Sequence, residues 1–188
     1  MTFRSVDVGV VMDMMIHDID VVLWLMDGRM PDDIQAAGVA VVTPFEDVCN
    51  ARLTWRKSPT HAACVANISA SRLALKTERV TRITGENAYV KIDYAAKSGT
   101  MIRRIANESQ MREVTEQLRA GKDLTSLKWN ELVNIEPLEI DETDPLTFEL
   151  TEFLQAARTG TRPPIDASAG LVNVKTAEAI VKAIREML

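Results

Sequence analysis

The sequence predicts an α+β fold: a two-layer sandwich in which a mostly antiparallel sheet of about six strands carries helices on one face. Three observations predict it. Apolar residues recur at helical spacing at both ends of the chain, the middle alternates apolar and polar residues over short runs, and the connections between those runs are too short for parallel crossovers. The 188 residues suffice for one domain with a full core and are read as a single domain over 1–188.

The first element is a helix from about Asp13 to Met26, with Gly28 placed as its C′ residue. Nearly all of it is apolar, with Met15, Ile19, Val22, Leu23 and Met26 on the faces expected to be buried. Asp13, His17 and Asp20 follow one another at spacings of four and three, which on an α-helix puts them on one stripe, with Trp24 next. A buried ionisable group is costly unless paired or used. One reading is a carboxylate that orients an imidazole one turn away for general acid–base work. The other is an N-cap aspartate and a satisfied core histidine, and pattern alone favours it.

Strands are expected over 34–42, closed by Pro44, over 49–55 and over 62–71, the last two separated by the turn residues 57–60. In the second strand Ala51, Leu53 and Trp55 oppose Arg52 and Thr54. In the third, Cys64, Ala66, Ile68 and Ala70 oppose Asn67, Ser69 and Ser71. One face is core and the other polar, suited to solvent or to a homodimer interface. Residues 77–84 and 88–94 read as a hairpin around Gly85-Glu86-Asn87, followed by strands over 99–105 and 132–140. Between these, 108–122 is a charged helix whose apolar stripe is Met111, Val114 and Leu118.

The C-terminal helices are strongly marked. Asp144-Pro145 supplies an N-cap and a proline at N1, Leu146, Leu150, Phe153 and Leu154 repeat at helical spacing, and Gly160 stops them. After the Arg162-Pro163-Pro164 turn, a last helix runs from about Asp166 to Met187 on Leu171, Val174, Ala177, Ile180, Val181 and Ile184. Both stripes are expected to be core.

Composition narrows the functions. A net charge of −5 and a pI near 5.2 argue against a sequence-independent nucleic-acid surface. Two cysteines, Cys49 and Cys64, are too few for a disulfide framework and suit a reducing, cytoplasmic setting. No secretory signal and no membrane span is expected, because Asp7 and Asp13 interrupt the first apolar run. A metal site on Asp13, His17 and Asp20 is disfavoured for want of ligands, with His61 the only other histidine. Neither cysteine has an identifiable partner for nucleophilic chemistry.

VVMDMMIHDIDVVLWLMDG resembles the D-x-x-x-H-x-x-D helix that opens the C-terminal domain of the Gfo/Idh/MocA family of nicotinamide-dependent sugar and polyol oxidoreductases. VANISASR, ITGENAYVKIDY and DPLTFELTEFLQAARTGTRPPIDASAGLVNVKTAEAI are similar to the same domain, in the same order. DMMIHDID, DVCNARL and ANISASR together look most like a sugar-nucleotide dehydrogenase branch. The resemblance implies that His17 takes the substrate hydroxyl proton while hydride leaves the same carbon, with Asp13 as its acidic partner. It matches Asp20 to the last acidic position of the motif, and Asp20 is taken with Arg72 as a candidate substrate contact, the guanidinium suiting a phosphate or carboxylate.

The family's N-terminal Rossmann domain and catalytic lysine have no counterpart, and glycines 9, 28, 38, 85, 99, 121, 160 and 170 form no G-x-G-x-x-G. The chain alone is therefore expected to bind no cofactor. NAD(P) is implied for the complete enzyme only, with a Rossmann-domain partner and a sugar or sugar-nucleotide substrate. The competing expectation is a non-enzymatic module that keeps the fold for self-association or small-ligand binding.

Overall fold

The computed structural model describes residues 7–123, 125, 127–141 and 143–187. These form two compact units, one built from the chain up to Leu75 together with Phe148 onward, the other from Lys76–Thr147. The α+β class with antiparallel strands is as expected. The strands fall into two sheets, of three and four strands, where the sequence reading drew one.

In the first unit a π-helical turn, Val11–Met15, runs directly into helix α1, Ile16–Leu25. Val11, Met15, Ile19 and Leu23 repeat every four residues and are the buried edge of this rod. It ends in a Schellman arrangement: Gly28 N–H donates to Leu23 O at 2.8 Å and Asp27 N–H to Trp24 O at 3.2 Å. Asp27, at φ 56°, thus holds the C′ position expected of Gly28, which follows at φ 71°. Aspartate tolerates the left-handed region better than most side chains, so the motif closes one residue earlier than glycine placement suggests.

Strands β1 (Asp33–Val39), β2 (Val48–Trp55) and β3 (Cys64–Ser71) pair antiparallel in that order. Their registers stack Ile34, Leu53 and Ala66, then Ala36, Ala51 and Ile68, then Gly38, Cys49 and Ala70 across the sheet. This is the alternation read from the sequence, and it forms one apolar face. The π-turn, α1 and the last helix, α5 (Ala167–Met187), join it in a single core. Gly38 lets α5 come close: a Cβ there would lie 3.0 Å from Ile184 Cδ1. Trp55 is 1% exposed, and its indole N–H donates to Arg29 O at 2.9 Å, tying the end of β2 to the α1–β1 connection.

In the second unit β4 (Val80–Thr84), β5 (Ala88–Asp93), β6 (Ser98–Arg104) and β7 (Val133–Leu138) form an antiparallel sheet in chain order. The first hairpin closes through Gly85 N–H to Ala88 O at 2.8 Å. Helix α2 (Glu108–Arg119) starts at a capping box made by Asn107 and Gln110. A single helical turn, α3 (Trp129–Leu132), leads into β7.

Helix α4 (Pro145–Thr159) begins where Asp144 accepts from Thr147 N–H at 2.9 Å, as expected. Its stripe is not core in this chain: Leu146, Leu150, Phe153 and Leu154 are each more than half exposed. On α5, Ala177, Ile180 and Ile184 are buried, whereas Leu171 and Val174 are exposed. Periodicity identifies an apolar face but carries no information about what covers it.

Candidate functional site

The polar stripe of the first helix does not stay together. Ile16 N–H reaches back five residues to Val11 O, so the backbone around Asp13 is a π-turn and the α-helical spacing holds only beyond it. Asp13 turns inward with a side chain 10% exposed, and its Oδ2 accepts from Arg72 Nη2 at 3.0 Å. His17 is exposed. Among the described residues no hydrogen bond or ion pair joins His17 to Asp13.

Arg72 follows the last residue of β3, and its side chain is completely buried. The same Nη2 that holds Asp13 also donates to Val8 O at 2.7 Å. Its backbone N–H donates to Asp47 O at 2.9 Å, and its Nη1 lies 3.9 Å from Asp47 Oδ1. Nε and Nη1 have no hydrogen-bond partner. Arg72 therefore faces an internal carboxylate pair, not a surface where a substrate oxyanion could reach it.

Asp47 is fully buried and was not singled out from the sequence. Its Oδ2 accepts from Val41, Val42 and Thr43 N–H at 2.8, 2.6 and 3.0 Å, and its Oδ1 accepts from Thr43 Oγ1 at 2.9 Å. The N–H groups of Val42 and Thr43, more than anything else, hold its carboxyl well below the usual range. The signal available in the sequence was an Asp four residues after Thr43 in a proline-containing loop, a context in which Asp closes turns through its own carboxylate.

Asp20 is half-buried. Burial, then the charge of Glu149, raise its pKa, and His17 opposes them. Asn173 of α5 donates through Nδ2 to Ile16 O at 3.2 Å and to Asp20 Oδ1 at 3.5 Å, while its own Oδ1 is buried without a partner. Asn173 and Glu149 were likewise not singled out. A lone Asn between apolar positions of a helix was the only cue to Asn173.

Elsewhere, His61 Nδ1 lies 2.7 Å from Thr60 Oγ1 and its Nε2 3.8 Å from Asp27 Oδ2 on a turn. Cys49 is a core residue whose thiol burial pushes up to about 12. Among the described residues no group of three or more His, Cys, Asp or Glu could hold a metal ion, and no helix is long and apolar enough to cross a membrane. The pyrophosphate turn of a Rossmann domain is not found among the described residues. Every sheet pairing among the described residues is antiparallel, so no strand enters a helix through the glycine turn of a parallel crossover, where a pyrophosphate would sit.

Residues 2–91 match the GFO/IDH/MocA C-terminal domain family, and the resemblance read from the sequence is borne out. Over 91 residues the chain is 40% identical to UDP-N-acetylglucosamine 3-dehydrogenase of Acidithiobacillus ferrooxidans, covering 48% of this chain and 27% of that protein. The solved structure of UDP-N-acetylglucosamine 3-dehydrogenase GnnA from that organism superposes with a TM-score of 0.76 at 28% identity, over 98% of this chain and 51% of the other. The aldose-aldose oxidoreductase of Caulobacter crescentus shares the fold, with a TM-score of 0.66 at 20% identity over 96% of this chain and 46% of the other. The chain thus spans about half the length of the solved relatives it matches.

Proposed function

We propose that this chain is the substrate-binding and self-associating half of an NAD(P)-dependent sugar or sugar-nucleotide oxidoreductase, completed by a Rossmann domain, whether carried on the same polypeptide or on another. The observation that carries the reading is His17: an exposed imidazole on a rod whose other side is sunk in the core, within a segment similar to a sugar-nucleotide dehydrogenase. In this reading His17 exchanges the proton of the substrate hydroxyl. Asp13 fixes the start of the helix, and Asp20 supplies a carboxylate one turn further on. The hydride acceptor is held by the Rossmann domain. The outward face of the first sheet, with Gln35, Ala37, Asn50, Arg52, Asn67 and Ser69, is the surface through which two copies would pair.

The test mixes the purified chain with the dinucleotide-binding domain of the Acidithiobacillus relative, a nicotinamide cofactor and UDP-N-acetylglucosamine or simple sugars. Reduction of the nicotinamide is followed by absorbance. Turnover that falls about 10²–10⁴-fold in His17→Asn supports the assignment. Absence of both a complex and turnover, with self-association retained, favours the non-enzymatic module.

A further inference from the structure

Arg72 reaches three separate parts of the first unit from the end of β3. Nη2 binds Val8 O, just before the helical rod, and Asp13 Oδ2, in the middle of the π-turn. The backbone N–H of Arg72 binds Asp47 O, at the loop that closes β1 onto β2. Asp47 is itself immobilised by three backbone N–H groups and Thr43, so this end of the network is a fixed point. π-Turns are rare and occur mostly as single turns set into α-helices, frequently at functional sites. Here a guanidinium with no exposed surface pulls the central residue of the turn inward. One turn later, His17 leaves the same rod toward solvent.

We propose that Arg72 is a positioning residue: by gripping Val8 and Asp13 from one nitrogen it keeps residues 11–15 in the π form, and so sets the direction in which His17 projects from the helix. Arg72 does not contact substrate. The functional meaning of the inference rests on the reading of His17 as the acid–base group, but its geometric content does not.

The test is therefore made without turnover, by NMR on the isotopically labelled full chain. It reads contacts between residues five apart across 11–16 and the ring resonances of His17, with His61 as internal control. In Arg72→Met the five-apart contacts are lost in favour of four-apart ones, and the His17 ring resonances move while those of His61 stay. Arg72→Lys, which keeps the charge but carries its nitrogen one bond short of the place of Nη2, loses the same contacts. Should Arg72→Met not fold, the pair Asp13→Asn with Arg72→Met removes both partners and is read in its place. A folded variant of either kind that keeps the five-apart contacts and an unmoved His17 ring overturns the proposal, even if its melting temperature falls. Failure of the turnover assay with these NMR changes present would instead count against the assignment of His17 as the acid–base group.

Discussion

Arg72 and Asp13, 59 residues apart in sequence, meet at 3.0 Å in a pocket of protein that solvent does not reach on the arginine side. The carboxylate that sequence spacing assigned to His17 is thereby committed to a cation on another element.

Breaking that pair on one side leaves a charge inside the protein. Arg72→Met strands Asp13 and Asp47 together and is expected to lower stability by about 3–5 kcal/mol. Adding Asp13→Asn to Arg72→Met should recover part of that loss. Urea unfolding of the two single variants and the double gives the coupling directly, and strictly additive losses would show that the pair does not interact in solution.

Asp20 behaves in the opposite way. Its carboxyl is raised by burial and by Glu149, so the folded state binds its proton more tightly than the unfolded chain does. Its contribution is therefore favourable below the unfolded pKa and is lost as pH rises through the folded value. Asp20→Asn is expected to melt at or above the wild-type temperature at neutral pH, with the advantage shrinking on acidification. A variant that melts lower at neutral pH and equal in acid would reverse the sign.

Asp166 caps α5, accepting from Ser168 and Ala169 N–H at 3.0 Å each, and the Ser168 hydroxyl, then the Ala169 N–H and the Arg162 guanidinium, lower its carboxyl to about 2. A depressed carboxylate contributes stability above the unfolded pKa, and the contribution is lost as pH falls through the folded one. Wild type should therefore outlast Asp166→Asn at pH values above the ordinary carboxylate range, and the difference should close as pH is lowered toward about 2. Thermal melts of the two proteins across that window provide the measurement.

Gly38 is a packing residue. Valine there would drive into Ile184 and is expected to cost about 1–3 kcal/mol, read by urea unfolding. Ile184→Val in the same chain should return some of it, since it removes Cδ1, one of the two Ile184 methyls at 3.0 Å, and leaves Cγ2 at 3.0 Å and Glu46 Cβ at 3.2 Å in place.

Much of the first sheet was legible because strand alternation is local: Ala51, Leu53 and Trp55 face the core wherever the strand lies. The cap at Asp144 was legible for the same reason, being a bond between near neighbours. The site was legible only in part. The argument from Asp13 to His17 assumed α-helical spacing, whereas residues 11–15 form a π-turn and Asp13 is bound to Arg72, just beyond β3. Arg72 ends a polar strand face, a pattern equally compatible with exposure and with burial beside two carboxylates. Asp47 left a local cue in Thr43, whereas Asn173 acts through contacts with α1 that only the folded chain creates. The stripe of α4 read clearly as apolar, yet its exposure depends on neighbours the stripe does not encode.

The bond from the Trp55 indole to Arg29 O has a practical corollary. Trp55 is sealed at 1% exposure, whereas Trp24 and Trp129 stand 67% and 51% open. Acrylamide should extinguish the emission of the two open indoles and leave a blue-shifted remainder, so the protein carries an intrinsic optical gauge of whether its first core is closed.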